Sequence, residues 1–128
     1  MTHDESSVIT LVTYCSKDKS KDPNPLPAIK HYKSCRIKSV FAKAKGEKHC
    51  MFILSGLLGL IRPDTPIMWY EKRLMPSDVG IMVDLVSHHL LCFKIRKVEY
   101  ITEDIWLKPE VKPYHDLMAA SCSDRTLK

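Results

Sequence analysis

Val8-Ile9-Thr10-Leu11-Val12-Thr13-Tyr14 is a run of seven β-branched, aliphatic and aromatic residues that passes directly into the polar, basic segment Cys15-Ser16-Lys17-Asp18-Lys19. A run of that length and composition reads as a buried strand. A second apolar run, Cys50-Met51-Phe52-Ile53-Leu54, releases in the same way into Ser55-Gly56-Leu57-Leu58-Gly59. A helical pattern lies between them. Strand, helix, strand in this order predicts a βαβ unit whose crossover is right-handed, with the two strands parallel and close in space. In open α/β sheets, ligands sit just beyond the carboxyl ends of the strands. The expected fold is therefore α/β, a small three-layer sandwich with a mostly parallel sheet of about three to four strands. The two strand exits are expected to converge on one hollow rimmed by Tyr70.

Ser16 to Pro27 holds three prolines among alternating charges, which excludes helix interior and predicts a long loop. Ala28 to about Lys33 reads as a short helix, and Ser34 as the N-cap of a second one. In that second helix Ile37, Val40, Phe41 and Ala44 share a core-facing stripe, Arg36, Lys43 and Lys45 are left toward water, and Gly46 is placed to stop it. Leu57 to Met75 reads as a structured loop with one helical turn. Pro76-Ser77-Asp78 opens a long helix to about Phe93, with Val79, Met82, Val83, Val86, Leu90 and Phe93 as its buried stripe. Lys97 to Ile101 alternates as a third strand, at an edge or with one wet face. Pro113 starts a last helix in which Leu117 and Met118 pack. All of 1–128 reads as one domain, with residues 1–7 and 123–128 loose.

The chain carries a formal net charge of +5, and ten of its twenty basic residues fall between Lys17 and Lys48, opposed there by Asp18, Asp22 and Glu47. Such a stripe favours an anionic partner, whether nucleotide, nucleic acid or acidic protein; a solvated helix surface is the plain alternative. No apolar run is long enough to cross a membrane, and the acidic start lacks a secretory signal, so a cytoplasmic protein is expected. The five cysteines are odd in number, irregularly spaced and without C-x-x-C, which favours free thiols.

Four groups carry candidate chemistry. At the first strand exit, Cys15, Ser16, Lys17 and Lys19 offer a thiol, a hydroxyl and two ammonium groups to an anion, and Cys15 beside lysines is a candidate nucleophile. The glycines of a phosphate loop or dinucleotide fingerprint are missing. At the second exit, Ser55 is a candidate hydrogen-bond donor with Gly59 allowing close approach, but Ile53 stands where a nucleophile elbow needs glycine. Trp69-Tyr70-Glu71 sets stacking surfaces beside a carboxylate, with Glu71 as the acid/base candidate. His88 and Cys92 have i, i+4 spacing on one helix but no third ligand of obvious spacing, so no metal site is expected.

Cys15-Ser16-Lys17-x-Lys19, Tyr32-x-Ser34 with Phe41, Ile53-Leu54-Ser55-x-x-x-Gly59-Leu60-Ile61-x-Pro63-Asp64 and Tyr70-Glu71 together resemble the YaaA-like, or peroxide-stress-like, family of small α/β proteins. The likeness spans about residues 8 to 74, with a weaker echo at Tyr114. Gly56, Leu57 and Leu58 depart from it, standing where alanine, a basic residue and an aromatic one are expected. More remotely, Cys15-Ser16-x-x-Lys19 is similar to the lysine-transferring domain of archaeosine synthase. The resemblance implies a three-layer α/β domain linked to nucleobases, nucleic acid or oxidative stress. It carries Cys15, Ser16, Lys17, Lys19, Tyr32, Ser34, Ser55, Gly59, Tyr70 and Glu71 into the candidate site by position.

The expected activity is binding of a nucleotide or nucleobase at the strand exits, with base-transfer or glycosidic-bond chemistry as the reaction class. Lys17 and Lys19 would hold phosphate, Ser16 and Ser55 would donate hydrogen bonds, and Tyr70 would stack. The alternative is a non-catalytic basic module, with Lys30 to Lys48 contacting nucleic acid or a partner protein in a stress response. A sheet this small also suits a homo-oligomer in which a neighbouring subunit completes the site.

Overall fold

The computed structural model of the protein describes residues 9–122 and the backbone of 126–127. The expected loose segment 1–7 lies outside the described residues, as do 123–125 and Lys128. β1 (Thr10–Tyr14) is fully buried along its length and forms the centre of the sheet. It is parallel to β3 (Cys50–Ser55) on one side and to β6 (Lys97–Ile101) on the other. Beyond β3 runs the antiparallel β4 (Gly59–Ile61), and beyond β6 the two-residue parallel edge β7 (Thr126–Leu127). The sheet order is β4-β3-β1-β6-β7, so the mostly parallel α/β expectation holds, with four strands of three or more residues and a short edge. A separate small ribbon pairs β2 (Leu26–Pro27) with β5 (Pro66–Ile67).

Register sorts the side chains into two faces. Thr13 and Glu99 meet Arg36 and Lys43 of α2 (Cys35–Glu47), which puts α2 on one face. Phe52 meets Phe93 at the end of α3 (Val79–Cys92), while Tyr14 stacks on Tyr114 and Tyr100 lies against His115 of α4 (Lys112–Ser121). Because side chains alternate along a strand, α3 and α4 cover the opposite face. The result is three layers. Leu11, Val12, Ile37, Ile53, Leu54, Val86, Leu90, Leu117 and Met118 are all fully or almost fully buried between them.

The local signals hold where the chemistry is unambiguous. Ser34 caps α2 by accepting the Ile37 N–H at 3.2 Å, after the short α1 (Ala28–His31). Pro76–Asp78 forms a 3₁₀ turn that leads into α3. Three expectations are corrected. Gly46 does not end α2; it keeps helical backbone rather than a positive φ, and the helix runs to Glu47, with Lys48 taking the left-handed cap at φ 58°. Leu57 to Met75 holds no helical turn but strands β4 and β5, because Leu60 and Ile61 add a buried edge to the sheet and the buried Ile67 pairs with Leu26. Finally, Arg36 does not face water. No helix among the described residues is long and apolar enough to cross a membrane.

Candidate functional site at the switch point

The chain leaves β1 through α2 to reach β3 on one side, then returns through α3 to reach β6 on the other. The direction of winding therefore reverses between β1 and β6. At such a point two crossovers diverge over opposite faces and leave a crevice outside the carboxyl ends of the strands. A cavity of about 850 Å³ opens there, within the range of small-molecule sites. Its wall comes from the β1 exit, the start of α2, residues 69–73, the segment after β6 and the start of α4.

The β1 exit is held rigidly. Arg36 folds back over the end of the strand, and Nη1 donates to Thr13 Oγ1 and to the Tyr14 carbonyl at 2.7 Å, while Nη2 donates to the Cys15 carbonyl at 3.2 Å. Its guanidinium also lies 3.5 Å over the Tyr14 ring. Arg36 sits in the first turn of α2, the turn nearest the strand end. Its long stem and planar fork suit carbonyls that no neighbouring strand can reach. Thr13 in turn donates to the Ile101 carbonyl at 2.7 Å, which ties the β1 and β6 exits together. Tyr14 donates to Glu103, which also receives Lys108 at 3.1 Å.

The loop after Cys15 is pinned as well. Ser16 donates to the Asp18 carbonyl at 2.6 Å, so its hydroxyl proton is already used within the loop. Lys19 bridges to Tyr32, and the Ser20 and Lys33 amides donate to the carbonyls of His31 and Asp18, respectively. The Lys19 ammonium lies 4.7 Å from the centre of the Tyr70 ring, a cation–π contact that holds it on the cavity wall.

Behind Tyr70 lies a buried run of hydroxyls. Tyr32 and Tyr70 share a hydrogen bond, and the Tyr70 hydroxyl lies 2.8 Å from Ser55 Oγ. Tyr114 accepts the Leu74 amide at 3.1 Å and lies 3.7 Å from the Cys15 sulfur. Burial, and then nearness to Cys15, raises the pKa of the Tyr32, Tyr70 and Tyr114 hydroxyls well above the usual phenol value. Burial, reinforced by the bond to Glu103, does the same for Tyr14. At neutral pH the phenols that line the cavity, Tyr14, Tyr70 and Tyr114, are therefore protonated, with Tyr14 already donating to Glu103.

Cys15, Ser16, Lys17, Lys19, Ser34, Tyr70 and Glu71 all line the cavity, so most of the residues expected to meet do so. Tyr32 and Ser55 are completely buried and reach it only through Tyr70. Gly59 is elsewhere: at φ +78° it packs under His89 of α3, where a side chain would come within 2.7 Å of the imidazole. The two strand exits are neighbours, with the Cys15 amide donating to the Leu54 carbonyl, but the second closes over its own turn rather than opening into the hollow. Ser55 causes this closure by accepting the Leu57 and Leu58 amides at 3.1 and 3.0 Å.

Sequence reasoning missed Tyr14, Arg36, Glu103 and Lys108, all of which line the cavity. A usable signal was present for two of them: Arg36 lies two residues after a helix N-cap that follows the central strand, and Glu103 two residues after the end of β6. Both are strand-end and helix-start positions. Among the described residues, no group of three or more His, Cys, Asp or Glu is arranged to hold a metal. No family model, no curated protein and no solved structure matches the chain.

Proposed function

We propose that the protein binds a nucleotide or nucleobase in the cavity at the β1/β6 switch point, with base-transfer or glycosidic-bond chemistry as its reaction class. One observation carries the reading: an open cavity of about 850 Å³ at the carboxyl end of the central strand, walled by both aromatic and basic side chains. Tyr70 and the half-exposed Trp69 give flat surfaces on which a base can stack, and Lys17, Lys19, Lys33 and Arg73 bring positive charge to the rim. Glu71 is the wall carboxylate nearest in sequence to these aromatics and is the group assigned to acid/base work, with Cys15 as the nucleophile candidate. The motif likeness to YaaA-like proteins points to the same ligand class.

The test is to titrate nucleobases, nucleosides and nucleotides into a Trp106→Phe background, so that Trp69 alone reports, and to follow melting temperature in parallel. Saturable quenching that is lost in Lys19→Ala with Tyr70→Leu supports the proposal. No response to any of them removes it.

The exposed lysines of α2 favour a second reading, a basic surface for nucleic acid or an acidic partner in a stress response. Lys38, Lys45 and Lys48 face water there, but Lys43 is taken by Glu99 at 2.7 Å, which interrupts the stripe. Binding at that face would weaken steeply with salt and fail after Lys38 and Lys45 are neutralised, while cavity binding would survive.

A further inference from the structure

We infer that Arg36 and Lys108, beside the amino-terminal turn of α2, form a phosphate-binding subsite at the switch point, and that Glu103 fills it in the free protein as an internal substitute for the ligand's anion. The inference rests on the nucleotide reading for the identity of the ligand, but not for the anion chemistry.

Arg36 commits Nη1 and Nη2 to the strand end, yet its Nε–H is buried and has no hydrogen-bond partner. The nearest carboxylate oxygen, Glu103 Oε1, stands 3.7 Å away, close enough for charge attraction and too far for a hydrogen bond. A buried guanidinium donor left unmade costs free energy that a better-placed acceptor would recover. Glu103 is an imperfect acceptor because it is divided among three partners: Tyr14, Arg36 and Lys108. The hydrogen bond from Tyr14 and then that from Lys108 hold its pKa below the usual carboxylate range, so it is ionised at neutral pH.

A ligand entering the cavity can compete with Glu103 for these donors. The Glu103 side chain is 45% exposed, and it follows β6 in a segment outside the sheet ladder. When it swings out, Arg36 Nε and Lys108 Nζ face the cavity without an anion between them. Lys33 and Ser34 line the same cavity at the start of α2, a thirteen-residue helix whose first amides and dipole favour negative charge. A phosphate monoester presents three terminal oxygens and up to two charges. It can satisfy Nε–H, the ammonium and the helix end together, which a two-oxygen carboxylate tethered to β6 does not. This moves the phosphate away from Lys17 and Lys19, where the sequence had suggested it, and toward β6.

Binding of inorganic phosphate, nucleoside 5′-monophosphates and the matching nucleosides is measured calorimetrically for wild type, Glu103→Gln and Lys108→Ala. Glutamine keeps a carbonyl oxygen for Tyr14 while removing the competing charge, and circular dichroism with a melt checks that each variant is folded. Glu103→Gln is expected to tighten phosphate and monophosphate binding roughly five- to tenfold and to widen the preference for monophosphate over nucleoside; Lys108→Ala is expected to weaken both phosphate ligands by a similar factor. Unchanged or weaker phosphate binding in folded Glu103→Gln overturns the inference, as does failure of every protein to bind either phosphate ligand. If phosphate behaves as expected but the base adds no affinity, the subsite stands and the nucleotide reading falls. If nucleosides and monophosphates bind equally in all three proteins, the cavity reading stands and the subsite falls.

Discussion

Ser55 donates its hydroxyl proton to Tyr70. The direction follows from counting: Ser55 Oγ already accepts the Leu57 and Leu58 amides, which uses both lone pairs, so the 2.8 Å contact with the Tyr70 hydroxyl must carry the serine's own proton. One buried hydroxyl thus closes the turn between β3 and β4 and orients the aromatic ring that forms the cavity wall.

Ser55→Ala removes all three bonds at a fully buried position. Two amides are left without a partner and Tyr70 keeps only its bond to Tyr32, so the expected loss is about 1–3 kcal/mol of stability, read by urea denaturation. Ligand binding in the cavity should weaken as well, since Tyr70 loses one of its two hydroxyl anchors. A variant as stable as wild type would show that water or a rearranged turn takes over those bonds.

Gly59→Ala should be costly for two separate reasons. The residue has φ +78°, and an added Cβ would meet the His89 ring at 2.7 Å. The backbone term alone is about 1 kcal/mol, and displacement of His89 breaks its bond to the Leu60 amide, for a total of about 2–4 kcal/mol. The same denaturation series measures it. A loss under about 0.5 kcal/mol would count against the packing of β4 on α3.

Arg36→Ala strips three hydrogen bonds and a stacked cation from the end of β1, with an expected loss of about 2–4 kcal/mol. Arg36→Lys should recover little of it, because a single ammonium cannot replace the planar fork that reaches Tyr14 and Cys15 at once. Full recovery by lysine would mean that charge alone matters there.

Stability should fall as pH drops below about 6.5. Burial lowers the pKa of His31 and, with His88 nearby, that of His89; His31 is fully buried and neither ring nitrogen has a partner, while His89 Nδ1 accepts the Leu60 amide. Lys19 also opposes protonation of His31. A group whose folded pKa is depressed is proton-free in both states above its unfolded value, so its contribution is complete there. It is lost as pH falls from that value through the folded pKa, where only the unfolded chain takes up protons. Glu103, Asp78 and Asp116, whose pKa values are also depressed, add a second loss starting from carboxylate values near 4. Melts at pH 7.5, 6.5, 5.5 and 5.0 isolate the histidine window, and a melting temperature that is level or rising toward pH 5.0 contradicts it.

Much of the molecule is legible from local chemistry. The buried strand at Thr10–Tyr14, the cap at Ser34, the stripe of Ile37, Val40 and Ala44, and the proline-opened α3 all follow from patterns of side chains along a few turns of chain. The βαβ order then makes the β1 and β3 exits neighbours, because right-handed crossovers leave little choice. Strand β4 was missed because three residues give too short a period to read. Gly46 was misread as a stop because glycine is permitted in a helix wherever nothing demands another conformation.

What the sequence determined by itself is the presence of a parallel α/β sheet and a basic, aromatic exit from its central strand, since both depend on residues adjacent along the chain. Which neighbour completes that exit was decided only by the tertiary structure. The return of the chain to β6 on the far side of β1 puts the switch point between β1 and β6, so that Glu103 and Lys108 join Tyr14 and Arg36 across 67 residues or more. The same fold draws Ser55 behind Tyr70 and sets Gly59 under His89. Side chains so far apart in the chain meet through sheet order and helix placement, which are set by burying the whole core at once and leave no mark on any single stretch of sequence.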